Sequence, residues 1–210
     1  MANKYYVFLQ YSPLIPLLYG LFQLRKLDEP LKYFMLWLTF SLFLTIVMTG
    51  MAMERIHNLW VMNLSLPCYS LVILWMFSLW EANPGIRLAM RMSIVAFAAI
   101  WALEMVFGSG PFVFTEFSRP IMNLIFVAIS SRTIYLANND ESELLTDQPR
   151  FWIASGLILY YGGSITINSL SNALLHISNE TLRSALYIQP ALSLVSHISY
   201  TIALNRQCRR

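Results

Sequence analysis

Long stretches almost free of charged residues recur along this chain and limit what it can fold into. Each runs for about 20 residues, the length that an α-helix needs to cross the hydrocarbon core of a bilayer. Because hydrocarbon cannot hydrogen-bond a loose backbone, every such stretch should be a helix. The sequence contains seven of them, at 5–24, 31–53, 59–80, 88–107, 117–136, 151–175 and 184–204. We therefore predict an all-α polytopic membrane protein in which residues 1–210 form a single domain of seven transmembrane helices.

The composition excludes several other classes of protein. Only 12% of the residues are charged and 57% are hydrophobic, whereas soluble domains carry about 25% and 45–50%. A soluble enzyme, a disordered tail and a disulfide-stapled secreted domain are all poor fits. The two cysteines lack metal-ligand spacing, and no catalytic or phosphate-binding motif is present. Nothing in the sequence nominates an enzyme, a cofactor, a metal or a nucleic-acid partner.

The basic residues predict the orientation of the helices, because cytoplasmic linkers are enriched in lysine and arginine. With seven spans, ten of the 14 basic residues fall on the side of the C-terminus and four on the side of the N-terminus. We therefore expect the N-terminus outside and the C-terminus in the cytoplasm, with the first stretch kept as a span rather than cleaved. The expected location is the cell membrane, specifically a bacterial inner membrane.

Two short internal similarities suggest a repeat. Asp28-Glu-Pro30 precedes the second stretch and Asp147-Gln-Pro149 the sixth, while Pro-x-x-Ser-Leu-Val begins at Pro67 in the third and at Pro190 in the seventh. Helices one to three would then recur as five to seven, giving a parallel 3+1+3 arrangement with halves 1–80 and 117–210 and a linker helix at 88–107. The alternative is coincidence, because Asp-x-Pro commonly starts a helix.

Polar side chains within the apolar stretches are the candidate functional residues, since such groups should face a bundle interior or an aqueous cavity. In the sixth stretch they recur every four residues, so they share one half of the helix surface: Tyr160, Ser164, Asn168, Asn172 and His176. Others should lie at a similar height: Asn63, Glu104, Arg119, Gln189 and Ser193. One interpretation is an outward-facing pocket for a small neutral or zwitterionic ligand. The other is interhelical hydrogen bonding worth about 0.6 kcal/mol per bond.

Two families resemble the chain. The helix count, orientation and 3+1+3 arrangement resemble the SWEET and PQ-loop family, which implies a facilitator of sugars or amino acids. His57-Asn-Leu-Trp60 and the segment 149–164, which reads Pro-Arg-Phe-Trp-Ile-Ala-Ser-Gly-Leu-Ile-Leu-Tyr-Tyr-Gly-Gly-Ser, are similar to an uncharacterised group of bacterial seven-helix proteins often encoded beside sensor kinases. That second resemblance implies a sensory role.

Three functional hypotheses follow, and all place the chain in a lipid bilayer. The first is a receptor-like module that binds a small polar ligand and acts through a membrane or cytoplasmic signalling partner, because the linkers offer little cytoplasmic surface. The second is a small-solute facilitator or proton-coupled transporter of SWEET-like topology. The third is a structural subunit of a membrane complex.

Overall fold

The chain is all-helical throughout the part that its computed structural model describes. The described residues are 9–108, 110–113, 115, 117–140, 142–165 and 179–209, with side chains from 188 onward in the last range. Seven α-helices lie within these residues: α1 Leu14–Phe22, α2 Glu29–Met53, α3 Leu59–Trp80, α4 Pro84–Phe107, α5 Ser118–Asn138, α6 Pro149–Leu157 and α7 Asn179–Cys208. A π-helical segment, Ile158–Gly162, continues α6. The prediction of an all-helical chain is confirmed for these residues.

Within the described part of the chain, four helices are long and apolar enough to cross a membrane: α2, α3, α4 and α5. The face of α4 that carries Leu88, Met92 and Val95 is exposed, and these residues share a face because they are spaced four and three apart. An exposed apolar stripe of this kind is stable against lipid. These helices are consistent with the expected membrane protein, whereas the seven-span topology and the repeat stay predictions.

The first and sixth stretches differ from the simple helices expected of them. The helix α1 has nine residues, which rise only about 13 Å, and a turn at 11–13 precedes it. Pro13 and Pro16 contribute to this break because proline has no N–H to donate. In the sixth stretch the α-helical hydrogen bonding changes to π-helical at Ile158.

The two Asp-x-Pro helix starts are capped differently. The Asp28 carboxylate accepts a hydrogen bond from the Leu31 N–H at 3.2 Å and so caps α2. At α6 the capping position is Gln148, and Asp147 instead receives the Arg206 guanidinium at 2.6 Å. The sequence similarity therefore does not extend to a shared capping interaction.

The chain divides into two compact units. Unit 2 comprises Asp28–Met122, and unit 1 comprises Met1–Leu27 together with Asn123–Arg210, so α5 begins in unit 2 and continues in unit 1. Within unit 2, α3 packs against both α2 and α4. Its core contains the fully buried side chains of Phe34, Leu66 and Phe77.

Within unit 1, α7 packs against α1 and α6, and two glycines allow the second of these contacts. A Cβ atom at Gly156 would lie 2.5 Å from Cε1 of Tyr200, and one at Gly163 would lie 2.4 Å from Cδ1 of Leu192. The Ser196 hydroxyl also donates to the Gly156 carbonyl at 2.8 Å. Small residues that let helix backbones approach closely are a common device in membrane helix packing.

A polar network holds the linker between α5 and α6. Gln148 donates to the Ala137 carbonyl at 3.0 Å, and Arg150 donates to the Asp140 carboxylate at 2.5 Å. The Ser142 hydroxyl and backbone N–H bind the same carboxylate and, with Arg150, lower the pKa of Asp140. These contacts fix the point at which the chain re-enters the bundle at Pro149.

We expect Gly156→Ala to lower the free energy of unfolding by about 1–3 kcal/mol, because the added methyl group meets a fully buried tyrosine ring that has no room to move. The matched control is Gly50→Ala, where a Cβ meets nothing within 4 Å, and alanine favours the helix by up to about 1 kcal/mol. Denaturation of both variants in detergent, followed by tryptophan fluorescence, measures the difference. Equal free energies of unfolding in the two variants would contradict the close contact between α6 and α7.

Candidate functional site

Asn63 is the centre of a polar cluster in unit 2. Its side chain is completely buried, and its amide group donates to the carbonyls of Pro111 at 2.8 Å and Val113 at 2.7 Å. Its side-chain oxygen accepts from the Arg119 guanidinium at 3.3 Å, and its backbone carbonyl accepts from the Trp101 indole at 2.9 Å. Asn63 thus joins α3 to α4, to the start of α5 and to the loop between them.

Glu104 lies beside this cluster and caps α5 from a different helix. Its carboxylate accepts from the backbone N–H groups of Phe117 at 3.0 Å and Ser118 at 2.8 Å, and from the Ser118 hydroxyl. A negative charge at a helix N-terminus is favourable, because the first N–H groups have no partner within the helix. The structure therefore brings together three sequence-predicted residues, Asn63, Glu104 and Arg119, in contacts that stabilise the fold.

Unit 1 contains a second polar cluster, built on α7. Gln189, Ser193 and His197 recur every four residues, so they lie on one face of the helix. The Gln189 amide donates to the Tyr160 hydroxyl at 3.3 Å. Nδ1 of His197 lies 3.3 Å from the Ser193 hydroxyl and 2.9 Å from the Ser12 hydroxyl, which precedes α1. This face therefore contacts both α1 and the π-helical segment through polar side chains.

His197 is only 5% exposed, and its ring packs edge-on against Tyr200 with centroids 5.5 Å apart. The π-helical segment contacts α7 through Tyr160, whose hydroxyl accepts from Gln189. The contacts of Gly156 with Tyr200 and of Gly163 with Leu192 bracket it from either end. A π-helical turn inside an α-helix commonly marks a functional site.

Three buried polar atoms in unit 1 have no hydrogen-bond partner within the part of the chain that the structure describes. They are Nδ2 of Asn123 and the hydroxyls of Ser130 and Ser164. All three side chains are at most 1% exposed. Since most buried polar groups in proteins are hydrogen-bonded, these three atoms are candidates for binding a ligand or a water molecule.

The structure therefore places Ser164, Gln189 and Ser193 in unit 1 and Asn63, Glu104 and Arg119 in unit 2. The remaining predicted site residues, Asn168, Asn172 and His176, lie outside the described residues. Among the described residues, no three His, Cys, Asp or Glu side chains are grouped as a metal site would require. The assignment of all nine residues to one ligand pocket stays a prediction.

Sequence reasoning missed the central position of His197. Its four-residue spacing from Ser193 and Gln189 was an available signal, because the three share a helix face. The contact with Ser12 was not available, since the two residues are 185 positions apart.

Comparisons of the chain with protein families, with characterised proteins and with solved structures find no match. The two family resemblances stay predictions.

We expect Asn63→Leu to destabilise the protein by about 2–4 kcal/mol, because two carbonyls and the Arg119 guanidinium lose their partner in a buried place. Asn58→Leu is the matched control, since Asn58 is only partly buried and donates one hydrogen bond, to the Met48 carbonyl. Thermal unfolding in detergent compares the two variants. A loss of stability no larger than that of Asn58→Leu would show that Asn63 does not hold α3, α4 and the start of α5 together.

Proposed function

We propose that this chain is a receptor-like membrane module that binds a small polar ligand inside unit 1 and signals through a partner protein. The observation that carries the proposal is the polar face of α7, where Gln189 donates to Tyr160 of the π-helical segment and His197 meets the hydroxyls of Ser12 and Ser193. An ionisable residue in a membrane-spanning helix is a functional candidate by default, because hydrocarbon disfavours it. In the predicted seven-span topology His197 meets this criterion, and its two hydroxyl neighbours come from different parts of the chain.

Packing alone gives little reason for these polar groups. Interhelical hydrogen bonds in membranes contribute only about 0.6 kcal/mol each, whereas apolar residues at the same positions would need no partner. A ligand bound within unit 1 would provide hydrogen-bond partners for the polar face of α7. The linkers between the spans are too short to signal alone, which supports a separate membrane or cytoplasmic partner.

A carrier is the second candidate, favoured by the breaks in the helices. The π-helical segment interrupts the sixth stretch, and Pro190 lies inside α7 close to the level of Gly163 and its contact, Leu192. Transporters commonly bind solutes beside broken helices, which act as hinges during alternating access. In this form of the proposal the two predicted triplets of helices rock about the ligand.

The location and topology belong to the same proposal: a bacterial inner membrane, seven spans, the N-terminus outside and a 3+1+3 repeat. Asn168, Asn172 and His176 continue the four-residue spacing of Tyr160 and Ser164 along the sequence. We include these three residues as ligand-binding candidates on that ground.

The topology is tested with single cysteines in a Cys68→Ser, Cys208→Ser background. An impermeant maleimide added to intact cells should label His57→Cys, in a predicted outer linker, and should not label Glu143→Cys, in a predicted inner one. Permeabilised cells provide the control, because both positions should then react. The reverse pattern, or labelling of both in intact cells, would rule out the N-outside arrangement.

Ligand binding is tested by native mass spectrometry of the protein purified in mild detergent. We expect a retained small molecule in the wild type and about a tenfold weaker affinity for it in His197→Phe, since one hydrogen bond is worth roughly 1.4 kcal/mol. The phenyl ring keeps the edge contact with Tyr200. His57→Phe is the matched control, because His57 is exposed in a linker.

Reconstitution into liposomes separates the functional hypotheses. A retained molecule that is not transported supports the receptor, and uptake of that molecule supports the carrier. A protein without a ligand that purifies in fixed stoichiometry with another membrane protein would replace both with the structural-subunit hypothesis.

A further inference from the structure

Among the described side chains, those of two asparagines are fully buried, and they are used in opposite ways. Asn63 donates from its amide group to two carbonyls. Asn123 is equally buried, at 1% exposure, yet its Nδ2 has no acceptor among the described residues. Asn63 therefore has the contacts of a structural residue, whereas Asn123 has a donor left over.

Two contacts between α5 and the sixth stretch give the relative level of Asn123 and Ser164. Ala137 of α5 accepts from Gln148, whereas Phe126, earlier in α5, contacts Tyr161, later in the sixth stretch. Residues earlier in α5 therefore contact residues later in the sixth stretch, so the two segments run antiparallel. Asn123 lies three residues before Phe126 and Ser164 three residues after Tyr161, which places them at one level. Ser164 is also 1% exposed, and its hydroxyl has no partner in the described part of the chain.

The neighbouring aromatic pair supplies an apolar wall about one turn away. The rings of Phe126 and Tyr161 meet edge to face with centroids 4.7 Å apart. Phe126 is fully buried and Tyr161 nearly so. A molecule held by Asn123 and Ser164 would thus meet two hydrogen-bonding groups on one side and aromatic carbon on another.

Four segments of unit 1 near this level, residues 9–24, 123–131, 151–165 and 188–205, carry no acidic residue, lysine or arginine, and His197 is their only basic side chain. Arg119 lies four residues before Asn123 in α5, and its guanidinium donates to Asn63. A buried carboxylate would have to compete for that guanidinium, and a buried ammonium group would have no counter-ion in these segments, which is strongly unfavourable in a low-dielectric interior. The Asn123 amide N–H and the Ser164 hydroxyl, which can donate or accept, instead match a neutral oxygen.

We infer that the ligand of unit 1 is an uncharged molecule that places a hydroxyl or carbonyl oxygen between Asn123 and Ser164. The inference rests on the proposed function and narrows it, because it excludes the zwitterionic ligands that the sequence had left open. Its ligand class comprises neutral polyols, sugars, amides and quinone-like carbonyl compounds.

Asn123→Leu and Ser164→Ala test the site without knowledge of the ligand. Removing an unpartnered buried polar group relieves a penalty, so each variant should raise the Tm of ligand-free protein by about 2–4 °C. Asn63→Leu is the matched comparison and should lower it. If Asn123→Leu lowers Tm as Asn63→Leu does, Asn123 is a structural residue and the inference fails.

The ligand class is tested by thermal shift with myo-inositol, D-glucose, acetamide and a short-chain ubiquinone, against D-glucuronate and glycine as charged counterparts. At least one neutral compound should raise the wild-type Tm, and the shift should be lost in Asn123→Leu and kept in Ser199→Ala. Ser199 is a suitable control because its hydroxyl donates to the Val195 carbonyl on its own helix.

The retained molecule seen by native mass spectrometry distinguishes the inference of an uncharged ligand from the broader proposal that unit 1 binds a ligand. An uncharged retained molecule lost from Asn123→Leu supports both. A charged or zwitterionic one overturns this inference and leaves ligand binding standing. No retained molecule together with no thermal shift overturns both, because Asn123 and Ser164 would then have only water as a partner.

Discussion

The hydrocarbon core of a bilayer offers no hydrogen bonds, and this constraint accounts for most features of the fold. Backbone groups can be satisfied only within helices, so the described residues form helices and short linkers. Helix ends need side-chain partners, which Asp28 supplies for α2 and Glu104 supplies for α5. Each buried polar side chain likewise needs a hydrogen-bond partner, because burial without one costs free energy.

The same surroundings change how helices pack. Lipid is as apolar as leucine, so burying more leucine does not draw two helices together, and close backbone approach matters more. In unit 1 the approach of α6 to α7 occurs at Gly156, where Tyr200 fills the space, and again at Gly163 against Leu192. These two contacts hold both ends of the π-helical segment, so its extra residue lies between fixed points, at the place where Tyr160 accepts a hydrogen bond from Gln189.

Local features of the fold could be predicted from the sequence and long-range ones could not. The third stretch, 59–80, matches α3 at both ends, because apolar length and flanking polar residues determine it locally. The π-helical turn after Leu157 leaves no comparable signal, since a π turn depends on neighbouring helices. At the candidate site, Gln189 and Ser193 of α7 could be predicted because they are polar residues within an apolar stretch. The contacts of Gln189 with Tyr160 and of His197 with Ser12 depended on which helices meet.

The burial of the unpartnered atoms bears on which functional hypothesis fits best. A structural subunit would present its polar groups on an outer face, where side chains of another protein could reach them. Asn123 and Ser164 are instead 1% exposed, so a partner for their polar atoms must fit inside unit 1. A small molecule or water meets that condition and a protein surface does not. In unit 2 the corresponding groups of Asn63 and Glu104 already bind the chain itself. The Thr115 hydroxyl of unit 2 is likewise buried without a hydrogen-bond partner among the described residues. The proposal of a ligand in unit 1 therefore rests on Asn123 and Ser164 lying at one level, and not on unpartnered groups being confined to that unit.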